Sequence, residues 1–301
     1  TTRAGSAMDP AGKGGLASLT NRLIRRGSKT RDPIALDEAL GDLGTEITTE
    51  TGVLAIERST LNFEVLKRNA AMATSILANV VIDPAFVDKE FDREKKLVLN
   101  GLRQQEDSSD SLAWRTSGIV TYGSDHPYGH PTMGLLSTVQ TITREDVTNF
   151  HTNYWKPSNS ALIFVGDISL EEAATIANNS FGKWPKGKAP SIDIPNTKYA
   201  GGGKIYLIDK PEAVQSVLIQ IMPAPSRTAP DYYPITLANL VYGAGFSTRL
   251  NLNLREDKGY AYGAYSEMDN FASGGSWFAF SNVQTDKTKE SVSEVKKELA
   301  D

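Results

Sequence analysis

The feature that most limits the fold of this chain is an order of segments that occurs twice. A helical segment ended by glycine, a second one ended by glycine, and two strand-like segments follow one another over residues 14–59 and again over residues 232–282. The residues of the two stretches do not match one another, so the order alone indicates a duplicated unit. Helices that alternate with hairpin strands predict an α+β fold, in which each unit has a mixed, mainly antiparallel sheet with helices on one face.

Apolar spacing and capping residues place the individual elements. Helices are predicted over residues 14–26, 32–43, 63–81, 84–105, 111–122, 170–181, 231–241 and 247–254, and from Thr143 and from Asp286 onward. Strands are predicted at a hairpin over residues 45–60, at a buried run over 160–166, and over 204–208, 215–222, 260–268 and 275–282. Thr143 and Asp146 have the spacing of a capping box, and Asp286 has the chemistry of an N-cap.

A chain of 301 residues exceeds what one hydrophobic core usually serves, so two domains are expected. Residues 183–203 are rich in glycine and proline and poor in large apolar side chains, which is typical of a linker. We therefore predict a first domain at residues 1–185, a linker at 186–203 and the start of a second domain at 204–301. The chain begins without methionine and stops inside a charged helical run, which predicts a fragment of a longer protein.

The bulk composition excludes several classes of function. A net charge of −4 gives no basic field that could neutralise phosphates, so nucleic acid is not an expected partner. The chain has no cysteine, which excludes disulfides and thiolate metal sites and leaves the compartment open. No apolar run approaches the roughly 18 residues of a membrane span.

The search for a catalytic group within the chain finds little. Of the three histidines, His126 and His130 have a zinc-like spacing, but the prolines between and after them forbid a helix, so a turn-stabilising role is expected. His151 has no companion and is expected to be a packed or surface helix residue. No Gly-x-Ser-x-Gly nucleophile motif is present, and the glycine run before Lys204 lacks the spacing of a phosphate loop.

The opening of the chain resembles a known family. Ala4-Gly5-Ser6, Gly15-Leu16-Ala17 and the segment 23–28 are similar to the start of the M16 zinc peptidases, the pitrilysin and insulinase-like family. In catalytic members the five residues after Gly-Leu-Ala read His-x-x-Glu-His, which supplies two zinc ligands and a general base. Here the two ligand positions are Ser18 and Arg22 and the base position is Asn21. The resemblance therefore implies a member that has lost its zinc motif.

A later segment supports the same conclusion. The run from Glu94 to Arg103 is similar to the helix that supplies the third zinc ligand in this family. The supporting glutamate of that helix is kept as Glu94, whereas the ligand position falls on Gly101. Serine, arginine and glycine cannot hold zinc, so the resemblance implies no metal in this chain and zinc in a partner subunit.

The second half of the chain carries another segment that resembles a motif of this family. Residues 243–250 lead into Leu254-Arg255-Glu256-Asp257-Lys258-Gly259-Tyr260-Ala261-Tyr262, which resembles the arginine/tyrosine substrate motif of the family. The matching positions are Arg255 and Tyr262, which the resemblance implies hold the substrate backbone and the developing oxyanion. Both side chains are hydrogen-bond donors, as that role requires. Tyr260 is the competitor for the tyrosine role, because strict alternation would place it on the same strand face.

Three functional hypotheses follow. The leading one is a non-catalytic, substrate-binding subunit or half of an M16 metallopeptidase, which acts with a zinc-bearing partner on unfolded peptides. The first alternative is a purely structural M16-like core subunit with no role in proteolysis. The second is an autonomous enzyme that uses Asp92, Glu94 and the loop histidines for an unrecognised metal, although this ligand set is poor. Family analogy favours a bacterial periplasm or cell envelope.

Overall fold

A computed structural model describes residues 1–191, 193–195 and 203–300 of the chain. The chain divides into two compact units, of which the first combines residues 1–103 and 130–193. The second combines residues 104–129 with the chain from residue 194 onward. The predicted linker at 186–203 includes residue 192 and residues 196–202, which lie outside the described residues, so the predicted domain boundaries stay a prediction. Within the described ranges, no helix is both long and apolar enough to cross a membrane.

The described residues combine helices with antiparallel strands. The helices are α1 (Leu16–Ile24), α2 (Pro33–Gly41), α3 (Ala70–Ile82), α4 (Asp88–Glu106), α5 (Ser109–Tyr122), α6 (Leu136–Val139), α7 (Arg144–Tyr154), α8 (Leu170–Phe181), α9 (Tyr232–Tyr242), α10 (Arg249–Asn251) and α11 (Thr288–Ala300). The strands are β1 (Thr48–Thr49), β2 (Leu61–Asn62), β3 (Gln215–Ala224), β4 (Ala261–Phe271) and β5 (Gly274–Gln284). The predicted α+β class is confirmed, and the order helix, helix, strand, strand occurs in both units.

Helix α1 is fixed at its N-terminus by an aspartate from the preceding turn. The Asp9 carboxylate accepts hydrogen bonds from the backbone N–H groups of Gly15 and Ala17, each at 2.7 Å. Gly15 has a φ of +96°, and a Cβ there would lie 2.6 Å from the Met133 carbonyl oxygen, so only glycine fits. The buried side chains of α1 include Leu19, Leu23 and Ile24, and this helix packs against α7. The cap and the apolar stripe together fix the direction and rotation of α1.

The second unit is built on a three-stranded antiparallel sheet in the order β3–β5–β4. Residues of α9, α10 and α11 pack with one set of β5 side chains in a core that includes Tyr242, Leu250, Leu254, Trp277, Ala279 and Val295. The intervening Phe278 and Phe280 of β5 contact Trp114 of α5, with ring centroids 4.7 Å and 5.4 Å away. This sheet and its helices hold the strand and loop that carry the arginine/tyrosine motif.

The capping box of α7 is confirmed. Thr143 Oγ1 accepts a hydrogen bond from the Asp146 N–H at 3.1 Å, and the Asp146 carboxylate accepts one from the Thr143 N–H at 2.8 Å. The prediction was wrong for the N-cap at Asp286, which lies inside a 3₁₀ turn, residues 285–287, ahead of α11. An aspartate near a helix start can thus lie within the preceding turn as well as at the cap.

Other elements also differ from their predicted extent. The hairpin predicted over 45–60 is reduced to the paired residues of β1 and β2, and a 3₁₀ turn at Gly52–Ala55 interrupts it. The helix predicted over 63–81 begins only at Ala70. In both cases the pattern of apolar residues covers more of the chain than the regular backbone hydrogen bonds do.

Two predicted strands are not strands in the described residues, and their apolar side chains are exposed. In the run 160–166, Ile163 is 70% and Val165 94% exposed, so the prediction of a buried strand was wrong. In the run 204–208, Ile205 is 84% and Leu207 88% exposed, and neither segment joins a named strand of the described residues. A run of apolar residues favours burial in a sheet, but it forms a strand only where another strand lies beside it to pair with.

His126 and His151 both make hydrogen bonds that stabilise the fold. In the turn after α5, Nδ1 of His126 accepts a hydrogen bond from the Tyr128 N–H at 3.0 Å, which confirms the expected turn-stabilising role. His151 is buried on α7, where its Nε2 donates to the Val81 carbonyl oxygen at 2.9 Å. Its ring lies edge-on to Phe86 and stacks on Trp155. His151 is therefore a packed core histidine.

The surroundings of His151 predict a pH-dependent stability. Burial lowers the pKa of this imidazole from 6.5 to about 4, although the hydrogen bond to Val81 opposes the shift. Between these values the unfolded chain binds a proton that the folded chain excludes, so the free energy of unfolding falls as the pH drops. At pH 5 the loss from this group is about 2 kcal/mol relative to pH 7.

Urea unfolding at several pH values checks this expectation against the variant His151→Gln. The glutamine amide can donate to Val81 but does not titrate in this range. We expect the variant to be less stable at pH 7 and to lose less stability than the parent as the pH falls. Parallel pH profiles of the two proteins would show that His151 is not the titrating group.

Candidate functional site

The three motif positions on α1 have different surroundings. Ser18 and Arg22 lie one helical turn apart and are both partly exposed. Asn21 is 4% exposed, and its Nδ2 donates a hydrogen bond to Thr49 Oγ1 of β1. The residue at the general-base position therefore ties α1 to the short β1–β2 pair.

Glu94 of α4 is the centre of an ionic cluster. Glu94 is 1% exposed. Its Oε1 accepts a hydrogen bond from Arg26 Nε at 2.7 Å and forms an ion pair with Arg93 Nη2 at 3.1 Å. Arg22 Nη1 lies 3.9 Å from Glu94 Oε2. The structure thus brings together the glutamate and the arginine that the sequence analysis singled out separately, and we call these four residues the Glu94 cluster.

The residues at these positions do not fit a zinc ion. Ser18 offers a neutral hydroxyl, Gly101 has no side chain, and Arg22 brings a positive charge beside the one buried carboxylate of the cluster. Burial lowers the pKa of the neighbouring Arg25, and the charges of Arg26 and Arg22 lower it further, as expected in a crowd of cations. Over the described ranges, no group of three or more His, Cys, Asp or Glu residues is placed to hold a metal.

The arginine/tyrosine motif forms a second, exposed cluster in the other unit. Arg255 Cζ lies 4.9 Å from the centroid of the Tyr262 ring and 4.6 Å from that of the Phe246 ring. The rings are well exposed, Tyr262 at 85% and Phe246 at 62%. Arg255 Nε also pairs with Glu256 Oε1 at 3.2 Å. We call Phe246, Arg255 and Tyr262 the aromatic–arginine cluster.

Backbone irregularities place this cluster at the surface. The short α10 continues as a π-helical segment, residues 252–257, which carries Arg255; such segments often occur at functional sites. Strand β4 carries Tyr262 and shifts its register on β5 between Ala261 and Ala264. A shift of this kind breaks the alternation of side chains. Tyr260 consequently packs against the core of the unit while Tyr262 reaches solvent, so the expectation that they share a face was wrong.

Some residues of these clusters were not found by sequence reasoning. Arg26 and Arg93 partner Glu94. Arg26 belongs to the quoted segment 23–28 and has the spacing to share a helix face with Arg22, but only the structure shows that it reaches Glu94. Phe246 belongs to the quoted glycine-rich segment, yet only the structure shows that its ring meets Arg255.

Comparison with protein families gives matches along most of the chain. Residues 1–120 match the family described as insulinase (peptidase family M16), and residues 141–301 match the family described as peptidase M16 inactive domain. An uncharacterized zinc protease of Mycobacterium leprae is 24% identical over 272 residues, which are 90% of this chain and 60% of that protein. One from Rickettsia bellii is 24% identical over 297 residues, 99% of this chain and 70% of that protein. The chain therefore spans 60–70% of the length of these relatives.

Solved structures give the same result. A peptidase M16 inactive domain from Pseudomonas fluorescens is 26% identical, with a TM-score of 0.90 over 99% of this chain and 71% of that one. The first half of the periplasmic protease PqqL from Escherichia coli is 20% identical, with a TM-score of 0.72 over 99% of this chain and 65% of that one. At that identity the likeness to PqqL concerns the fold alone.

Proposed function

The chain belongs to the M16 peptidase family, and on that premise we propose that it is the non-catalytic, substrate-binding part of a two-part zinc metallopeptidase. The observation that carries the proposal is the contrast between its two clusters. By the family resemblance, the Glu94 cluster has Arg22 where catalytic members have a zinc ligand, whereas Arg255 and Tyr262 match the substrate motif and lie together at the surface.

The chemistry of Arg255 and Tyr262 suits a role beside a metal that the partner carries. A guanidinium and a phenol are both donors, and both can face a carbonyl oxygen that becomes negative in the transition state. Zinc in the partner would supply the activated water and polarise the carbonyl. The first half of PqqL has the same fold, and the proposal takes this chain likewise to be one of two paired parts.

The proposed substrate is an unfolded peptide that binds in an extended form. Tyr262 lies on β4, which is an outer strand of the three-stranded sheet in the described residues. A peptide beside such a strand can bind through its backbone, and exposed aromatic rings give a loose preference for side chains. Phe246 and Tyr262 present such rings, each close to the Arg255 guanidinium.

Reconstitution tests the proposed function. The chain is mixed with a zinc-bearing M16 subunit from the same genome, and cleavage of a fluorogenic unstructured peptide is followed. We expect cleavage by the mixture and little cleavage by either part alone. A mixture that forms a stable complex but cleaves no faster than the zinc-bearing subunit alone would favour the purely structural role.

We also predict that the isolated chain holds no stoichiometric zinc. The triple variant Ser18→His/Asn21→Glu/Arg22→His restores the motif on α1 but should still bind zinc weakly, because Gly101 offers no ligand. Addition of Gly101→Glu should raise the zinc content, since a Cβ at this position has no heavy atom within 4 Å.

Elemental analysis of the parent, triple and quadruple variants after dialysis measures this difference. The triple variant is the matched control for the added ligand. One tightly held zinc in the triple variant would mean that the third ligand lies elsewhere, with Glu94 or Asp92 as the first residues to test. One tightly held zinc in the parent would overturn the assignment of this chain as the metal-free part.

A further inference from the structure

The aromatic–arginine cluster is assembled from three separate pieces of backbone. Phe246 lies in the loop before α10, Arg255 in the π-helical segment and Tyr262 on β4. Both rings are largely exposed, so burial of the side chains does little to hold them in place. Their common geometry must therefore come from the backbone segments beneath them.

One buried side chain joins these three pieces. Asn251 is 3% exposed and lies four residues before Arg255 in the same helical run. Its Nδ2 donates a hydrogen bond to the carbonyl oxygen of Phe246 at 2.7 Å. Its Oδ1 accepts one from the N–H of Ala264 at 3.0 Å, at the end of the register shift that contains Tyr262.

The chemistry of this position requires an amide. A carboxylate would keep the acceptor for Ala264 but would lose the donor to Phe246 and bury a charge. An apolar side chain of similar size would leave both the Phe246 carbonyl and the Ala264 N–H without this partner, at a cost typical of unsatisfied buried groups. An asparagine supplies a donor and an acceptor from one planar group and thereby sets the spacing of the two backbones.

We propose that Asn251 is a positioning residue that fixes Phe246 and Tyr262 against Arg255, and so sets the geometry with which this site holds a peptide. The peptide-binding part of this inference rests on the proposed function. The positioning part concerns only residues of this chain and can be tested without a partner or a substrate.

Two variants separate positioning from general stability. Asn251→Asp removes the hydrogen bond to Phe246, and Asn239→Asp is the control. Asn239 is likewise buried in the second unit, where its Oδ1 accepts hydrogen bonds from Ser266 Oγ and Trp277 Nε1, and neither partner belongs to the cluster. The readouts are the NMR signals of the Tyr262 ring and the Arg255 Nε–H, and the affinity for a fluorescein-labelled unstructured peptide.

We expect Asn251→Asp to shift both signals and to weaken peptide binding about tenfold, the effect of misplacing one charge-assisted contact. Asn239→Asp should lower stability but leave both signals in place. Unchanged Tyr262 and Arg255 signals in a folded Asn251→Asp protein would overturn the positioning role. If the parent binds no peptide while the signals shift as expected, the proposed function fails and the positioning role stands.

Phe246→Ala covers the case in which Asn251→Asp does not fold. Phe246 is exposed, so its removal should not unfold the chain, and it takes away a ring whose centroid lies 4.6 Å from Arg255 Cζ. The Arg255 Nε–H signal should then shift, and peptide affinity should fall. An Arg255 signal that stays where it is in the parent would contradict the arrangement that Asn251 is proposed to maintain.

Discussion

Replacement of Glu94 by glutamine is expected to lower the free energy of unfolding by about 3 kcal/mol. The substitution keeps the size of the side chain but removes a buried charge that Arg26 and Arg93 contact directly. Arg26 is then left without its counter-ion beside a largely dry position, whereas Arg93 keeps Glu90, whose Oε2 lies 2.7 Å from Arg93 Nη2. The figure is at the low end for a broken buried ion pair, because both guanidinium groups keep access to water and can be hydrated.

Two further variants make the comparison specific. Arg22→Met removes the most distant partner, at 3.9 Å, and should cost less than about 1 kcal/mol, as for an exposed pair. Glu94→Met/Arg26→Met removes both charges of the shortest pair and should be more stable than Glu94→Met alone. Urea unfolding of these proteins measures each step. If Glu94→Gln is no less stable than Arg22→Met, the cluster does not hold α1 and α4 together.

The Glu94 cluster also shows which contacts a sequence predicts and which it does not. The helix α1 could be predicted because leucines at helical spacing and a terminal glycine are local signals. The pairing of Arg26 with Glu94 joins residues 68 positions apart, and no local pattern specifies which arginine reaches the carboxylate. The family matches confirm the family resemblance, and the lost ligand positions that it implies stay a prediction. The resemblance carried no information on which arginines contact Glu94.

The aromatic–arginine cluster was predicted in part for a similar reason. Arg255 and Tyr262 could be found because the motif around them is long. Their surroundings could not, because the register shift on β4 and the π-helical segment change side-chain directions without a clear sequence signal. Strict alternation would have made Tyr260 equivalent to Tyr262, whereas the structure packs one against the core and exposes the other. The exposure of the runs at 160–166 and 204–208 likewise could not be predicted, because it depends on whether another strand lies beside them.

The replacement Tyr262→Phe is expected to lower turnover of the reconstituted complex by roughly 10² to 10³. The change removes one hydroxyl donor and keeps the ring that contacts Arg255. Because the Tyr262 side chain is 85% exposed, the substitution should leave the melting temperature of the chain unchanged. A loss of turnover at unchanged stability would be specific to the donor, as expected if this hydroxyl faces the developing oxyanion beside the partner's zinc.

Matched variants define the outcome. Tyr260→Phe removes the same group from a neighbouring tyrosine that packs against the core, and it should cost much less turnover. Arg255→Lys keeps the charge but loses the planar fork and its stacking on Phe246 and Tyr262, so it should be impaired as well. Peptide cleavage by the reconstituted pair and thermal unfolding of each variant are measured together. Parent-like cleavage by Tyr262→Phe, or a loss confined to Tyr260→Phe, would remove the oxyanion role from Tyr262 and favour the purely structural subunit.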